Sequence, residues 1–296
     1  MKRAIPGIEF LLVRLLTALV SSLPEQSALG VGALMGRIAL SLMRARVKVV
    51  KRNLELCSVR FESKYRERLF ILRCFQHIGV TAVEVLRQKT CSGQGILGKV
   101  TMKGTECLGR ALNLGRGAIL MSGHYGNWEL LGAYVCNLGF PVDLLVKRQS
   151  NVRVDEFIAS MRNSQGVGLI YTDTGLRDLV SAVKAGRFVA ILADQYGGAE
   201  SVPANFMGAE ALVPAGPADL IKKYNLPLVI GFMRRALNGH NYITIRLLED
   251  LGRLPRNEIV QSYTLQLEEA VKDAPELWLW THRKFKNLTD YHGSVR

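Results

Sequence analysis

Beyond residue 115 the chain alternates short apolar runs with polar-faced helical stretches, and this alternation restricts the fold more than any other feature. The runs cover 118–121, 142–146, 188–193, 228–232 and 242–247. A short apolar run bounded by turn-forming residues is what a strand covered on both faces looks like. Between the runs lie WELLGAYVCNL, VDEFIASMRNS, GLRDLVSAVKA and AGPADLIKKYN, whose apolar residues recur at helical spacing. Strands alternating with helices predict an α/β domain with a largely parallel central sheet flanked by helices. Upstream, GVGALMGRIALSLM and ESKYRERLFILRCFQHIGVTAVEVLRQ also have helical spacing. No repeat or low-complexity tract divides residues 26–296, which read as one domain behind an N-terminal anchor or interfacial helix at 1–25.

Residues 4–23 are about long enough to cross a bilayer. They also hold Glu9 and Arg14, and a charge at mid-span costs about 2.5–3.5 kcal/mol on insertion scales. No small-residue cleavage pattern closes the segment, which argues against a signal peptide. The expectation is a membrane anchor, spanning or interfacial, set against an amphipathic helix packed on the domain. Next comes MRARVKVVKR, with Arg44, Arg46, Lys48, Lys51 and Arg52 placed either against anionic lipid or on a solvated helix face. In the whole chain 39 Lys and Arg stand against 25 Asp and Glu, and the resulting +14 favours an anionic partner. Five scattered cysteines (Cys57, Cys74, Cys91, Cys107, Cys136) lack any CxxC or His pairing, as expected for a reducing compartment without a structural metal.

The chemistry-bearing residues fall where the predicted strands end. GHYGNWE at 123–129 puts His124 in the turn leaving the first of these strands and Glu129 in the first turn of the following helix. Asn127 is a suitable N-cap, and an acid one turn inside the helix is favoured by the macrodipole. Lys147 and Arg148 follow the second strand, and Asp194 and Gln195 follow the third. Ligands of open α/β sheets bind at the carboxyl ends of the strands, so these groups are expected to face one crevice. There His124 suits a general base, with Glu129 or Asp194 fixing its tautomer. The sequence lacks G-x-S-x-G, HEXXH and CxxC, which disfavours a serine nucleophile and zinc. His77, His240 and His282 are read as structural.

These residues resemble the lysophospholipid and lipid A late acyltransferase family, whose signature is a His followed, after four residues, by Asp or Glu. GHYGNWELLG matches its first block, and VKRQSN matches the block whose arginine is characteristic, here Arg148. ILADQYGG, NFMGAEALVPAGPADLIKKYNLPLV and PELWLWTHRKFKN resemble three further blocks, all in the family's order. The resemblance implies a glycerolipid-acyltransferase-like fold and transfer of an acyl chain from acyl-carrier protein or acyl-CoA. The implied acceptor is a hydroxyl of an anionic membrane lipid, foremost a lipid A precursor, at the cytoplasmic face of the bacterial inner membrane. It implies no cofactor, no metal and no nucleic acid.

Carried over residue by residue, the resemblance makes His124 the base and Glu129 or Asp194 its partner. Backbone N–H groups near the turn would hold the oxyanion, and Arg148 with Lys147 would meet an acceptor phosphate. Asn127, Gln195 and Arg283 join the substrate-facing set. Gln195 stands where some members carry Arg or His, which bears on acceptor preference. Trp278 and Trp280 are expected either to form a lipid-facing rim, with Arg283, Lys284 and Lys286 on phosphates, or to lie in a buried final strand. The same chemistry fits another glycolipid, a phosphatidylinositol mannoside or an aminolipid. The rival of a different class is a non-catalytic, basic lipid-binding protein.

Overall fold

The computed structural model describes residues 6–88, 100–173, 175–236 and 239–291. Cys91 and the first two residues of the 4–23 segment lie outside the described residues. Four helices come first: α1 (Pro6–Ser22), α2 (Glu25–Leu42), α3 (Arg44–Leu56) and α4 (Lys64–Leu86). The α/β part follows as β1 (Val100–Lys103), α5 (Thr105–Asn113), β2 (Ala118–Ser122), α6 (Trp128–Asn137), β3 (Val142–Val146), α7 (Val152–Asn163), β4 (Gly168–Tyr171), α8 (Leu176–Lys184) and β5 (Phe188–Leu192). A hairpin of β6 (Ser201–Phe206) and β7 (Ala209–Pro214) leads to α9 (Gly216–Tyr224), β8 (Leu228–Arg235), β9 (Asn241–Leu248) and α10 (Arg256–Asp273).

The central sheet has seven strands in the order β1-β9-β8-β2-β5-β3-β4. Every neighbouring pair is parallel except β8 and β9. Strand β2 lies in the middle with all five residues buried, which is why its sequence is a continuous apolar run. Its side chains alternate between two cores. Ile119 and Met121 join the one that includes Tyr263, Leu267, Trp278 and Trp280, and Ala118 and Leu120 join the one that includes Leu108, Leu131 and Val135.

The five predicted strands and the helices between them are present. The sequence reading missed β1, β4, the β6–β7 hairpin, α5 and α10. β1 and β4 are edge strands of only four residues, and the hairpin carries Pro203 and Pro214 and polar residues within its strands.

The first four helices pack beside the sheet. Gly32 and Gly36 of α2 lie against the backbone of α4 at Gly79 and Phe75, so closely that a Cβ at Gly36 would overlap the Phe75 carbonyl. Helix α4 is the one described helix long and apolar enough by itself to cross a membrane, yet it packs against α2 and the core. Helix α1 buries Val20, and α3 turns Val49, Val50, Asn53 and Leu54 inward. Arg44, Arg46, Lys48 and Lys51 of α3 are exposed.

Candidate active site

Strands β2, β5 and β3 are neighbours, and their carboxyl ends carry the predicted groups. The parallel register pairs Ser122 with Leu192, so His124 and Asp194, each two residues farther on, leave the sheet side by side. Oδ1 of Asp194 lies 2.7 Å from Nδ1 of His124. Oδ2 accepts from the His124 backbone N–H at 2.9 Å and from the Trp278 indole N–H at 3.0 Å. The Asp194 carbonyl accepts from Lys284 Nζ at 2.8 Å. An ionised carboxylate only accepts, so Nδ1 carries the hydrogen and Nε2 is left as the basic nitrogen.

Burial opposes charge on both members of this pair, and the partner outweighs it on each. Asp194 is held below the usual carboxylate range by His124 and Lys284. His124 is raised above the usual imidazole value by Asp194, with a lesser pull from Glu129. Burial pushes the Lys284 ammonium down to about 8 against the attraction of Asp194.

A cavity of about 530 Å³ opens in front of the His124 ring. Its floor is apolar, with Leu120, Leu131, Leu144 and Leu192, and its rim is polar, with Glu129, Lys147, Gln149, Arg162 and Gln195. Trp128 meets the imidazole edge-on, the ring centres 4.9 Å apart. The Gln195 amide nitrogen is 3.2 Å from Nε2 and 3.4 Å from Nδ1. Both residues line the cavity, so the amide sits on that side of the ring, within hydrogen-bond reach of Nε2.

The turn is held tightly. The amide of His124 goes to Asp194, that of Tyr125 to the Gly123 carbonyl and that of Gly126 to the Leu277 carbonyl. All three are taken, so none of them is available to an oxyanion. The first amides beyond the turn are those of α6. Leu130 N–H goes to the Asn127 side chain and Leu131 N–H to the Asn127 carbonyl, so the Trp128 and Glu129 amides precede the helical ladder. Gly126 has φ +59°, and a Cβ there would run into the Met233 carbonyl. Gly126→Ala is expected to cost more than about 2 kcal/mol, since a left-handed alanine alone costs about 1–2 kcal/mol. Chemical denaturation followed by tryptophan fluorescence checks this.

The other predicted site residues divide. Glu129 does not hold the imidazole: its carboxylate takes a two-pronged ion pair from Arg162, at 2.6 and 2.9 Å. Asn127 is buried, capping α6 and donating to Glu84 at 2.6 Å, which removes it from the substrate-facing set. Lys147 lines the cavity and has no ion pair among the described residues. Arg148 lies outside the cavity wall, bonded to Asp173 at 2.8 Å with its guanidinium 3.8 Å from the Tyr171 ring centre. Arg283 is also outside the wall, beside Tyr291. Trp278 and Trp280 are buried, which overturns the lipid-facing rim, and Lys284 is buried instead of free for phosphate.

Three contributors escaped the sequence reading: Arg162, which shares the rim with Glu129, and Trp278 and Lys284, which fix Asp194. The last two stand in PELWLWTHRKFKN, for which a buried final strand was one of two expectations, but their bonds to Asp194 were not foreseen.

The chain matches the profile of the bacterial lipid A biosynthesis acyltransferases over residues 3–287. It belongs to that family. It is 24% identical over 259 residues to the lipid A biosynthesis palmitoleoyltransferase of Escherichia coli (strain K12), covering 86% of this chain and 83% of the relative. The lipid A biosynthesis lauroyltransferase of the same organism is 25% identical over 272 residues, 90% of this chain and 88% of the relative. A lipid A biosynthesis acyltransferase of Shigella flexneri is 24% identical over 259 residues, 86% of this chain and 83% of the relative. The family match thus takes in all five ordered motifs, which lie between residues 123 and 287, together with the helices that precede them.

Proposed function

We propose that this protein transfers a fatty acyl group from a thioester donor to a hydroxyl of a lipid A precursor, with His124 as general base. The observation that carries the reading is the His124–Asp194 pair at the mouth of an apolar-floored cavity, its Nε2 meeting the neutral Gln195 amide and no charged group among the described residues. Nε2 takes the proton of the acceptor hydroxyl while Asp194 steadies the imidazolium. The alkoxide oxygen adds to the thioester carbonyl carbon. As the tetrahedral intermediate collapses, the C–S bond breaks and the imidazolium returns its proton to the departing sulfur. The ester and the free thiol are the products.

The oxyanion of that intermediate needs donors, and the Trp128 and Glu129 amides at the α6 N-terminus supply both hydrogen bonds and the favourable end of the helix dipole. The leucine-lined floor suits the acyl chain. Lys147 on the rim is the cation for a phosphate of the acceptor, a role expected from the motif chiefly of Arg148. Glu129 contributes by holding Arg162 at the rim and by adding negative potential near the imidazole. Acyl-carrier protein and acyl-CoA both present a thioester beside phosphate, so either suits a chain of +14. The reading puts the enzyme on the cytoplasmic face of the bacterial inner membrane, where donor and acceptor meet.

The test is purified protein with an acyl thioester and a lipid A precursor, read by mass spectrometry. The expected product is the acceptor heavier by one acyl group, with one free thiol released per ester. A gain only on another glycolipid, a phosphatidylinositol mannoside or an aminolipid moves the acceptor and keeps the chemistry. Lipid binding without any transfer favours the non-catalytic alternative.

A further inference from the structure

Helix α1 has two apolar faces, and among the described residues only one of them is packed against the protein core. Leu16 and Val20 pack with Ala28, Val31 and Met35 of α2 and with Val83 of α4. Facing away are Ile8, Leu11, Leu12, Leu15 and Leu19, each 52 to 60% exposed. At about 100° per residue these five fall within an arc of about 100°, a continuous aliphatic stripe along the helix. Arg14 stands just beyond its edge.

The inner face is secured at both ends. Near the start, Asn151 donates to the Pro6 carbonyl at 2.8 Å and to Glu9 at 2.9 Å, and Phe10 meets Phe157 edge-on. Near the end, Arg87 donates to the carbonyls of Val20 and Leu23. Asn151 is two residues past Gln149, which lines the catalytic cavity, so the helix begins beside the cavity rim.

We infer that α1 lies flat in one leaflet of an anionic bilayer, its aliphatic stripe in the acyl region and its ends on the same side, and does not cross the membrane. Crossing would strip away the inner packing and the Asn151 and Arg87 bonds, and would carry Glu9 and Arg14 into hydrocarbon, which is costly. Lying flat keeps Glu9 on Asn151, lets Arg14 reach headgroup phosphates and leaves the inner contacts intact. It also brings the cavity mouth to headgroup level, so an acceptor hydroxyl need not leave the lipid surface. The inference rests on the membrane-lipid reading of the site, but it is read out without any acyl transfer.

The experiment uses the full chain in sealed membrane vesicles with the cytoplasmic leaflet outward. Gly7→Cys, where an added Cβ meets nothing within 4 Å, and Ser22→Cys are each exposed to a membrane-impermeant maleimide. Peptide mass spectrometry separates these sites from the native cysteines, and detergent-solubilised protein gives full labelling. Both cysteines are expected to label in sealed vesicles. Labelling of only one, or of neither, overturns the flat placement.

A second arm replaces Leu11, Leu12 and Leu15 together by Gln and measures flotation with vesicles of three parts phosphatidylethanolamine to one part phosphatidylglycerol. The partition coefficient is expected to fall at least about tenfold with the melting temperature little changed, because more than half of each of these residues is exposed. Flotation equal to the parent, or a parent that fails to float and instead self-associates through this face, overturns the inference. One-sided labelling without acyl transfer would instead count against the proposed reaction alone.

Discussion

His124→Ala is expected to lower acyl transfer by about 10²–10⁴-fold, the usual worth of a positioned general base, while leaving the protein folded. The loss falls on kcat, because the ring acts on the proton in flight and supplies only part of the cavity wall. The fold is expected to survive because Asp194 keeps its other bonds. Alanine at 124 still offers its backbone N–H, and the Trp278 indole and Lys284 ammonium remain, so the buried carboxylate is not stranded. Thioester turnover with a lipid acceptor, read beside a thermal melt, checks both halves. Near-parental turnover in a folded His124→Ala protein would remove the base assignment.

The strand ends were legible in the sequence because buried central strands must be apolar throughout, and 118–121, 142–146 and 188–193 are. That rule put His124, Lys147 and Asp194 at one rim without any knowledge of strand order. The partner of His124 was not legible, because it depends on that order. In the chain, β3 separates β2 from β5, and Glu129 is only five residues from the histidine. In the sheet, β5 lies against β2, and the Ser122–Leu192 register brings Asp194 to the ring from 70 residues away. Glu129 meanwhile turns to Arg162, 33 residues on, a pairing that neither spacing nor periodicity announces.

The tail stayed open for a related reason. LWLWTHRKFK sets two tryptophans among leucines ahead of a basic cluster, a pattern that suits a membrane rim as well as a buried segment. Burial of Lys284 becomes tolerable only because a carbonyl oxygen, a nearby carboxylate and the face of Phe206 surround its ammonium. Those partners are supplied by tertiary structure. At the other end, residues 4–23 are long enough to span yet carry Glu9 and Arg14, which is compatible with spanning, lying flat or packing; the bonds from Asn151 and Arg87 are long-range facts that composition does not contain.

Asp194→Asn is expected to cost at least about 10²-fold in rate, and its pH profile separates Asp194 from Glu129 as the group that tunes the base. A carboxylate at Nδ1 enforces the tautomer with Nε2 unprotonated, whereas an amide can present its NH₂ to Nδ1 and stabilise the wrong one. The carboxylate also stabilises the imidazolium, which raises the His124 pKa. The base works only when neutral, so parental activity falls as pH drops through that raised value. With Asn at 194 the raising influence is lost, and the acid limb moves to lower pH even as the maximal rate falls. Glu129→Gln removes a charge that acts at longer range and is already paired with Arg162, so its acid limb is expected to move less, in the same direction, with a smaller loss of rate. Rate against pH for the two variants, with acceptor saturating, measures both effects. If Glu129→Gln produced the large loss and the large shift while Asp194→Asn produced neither, the 2.7 Å contact between Asp194 and His124 would be structural and Glu129 would be the group acting on the base.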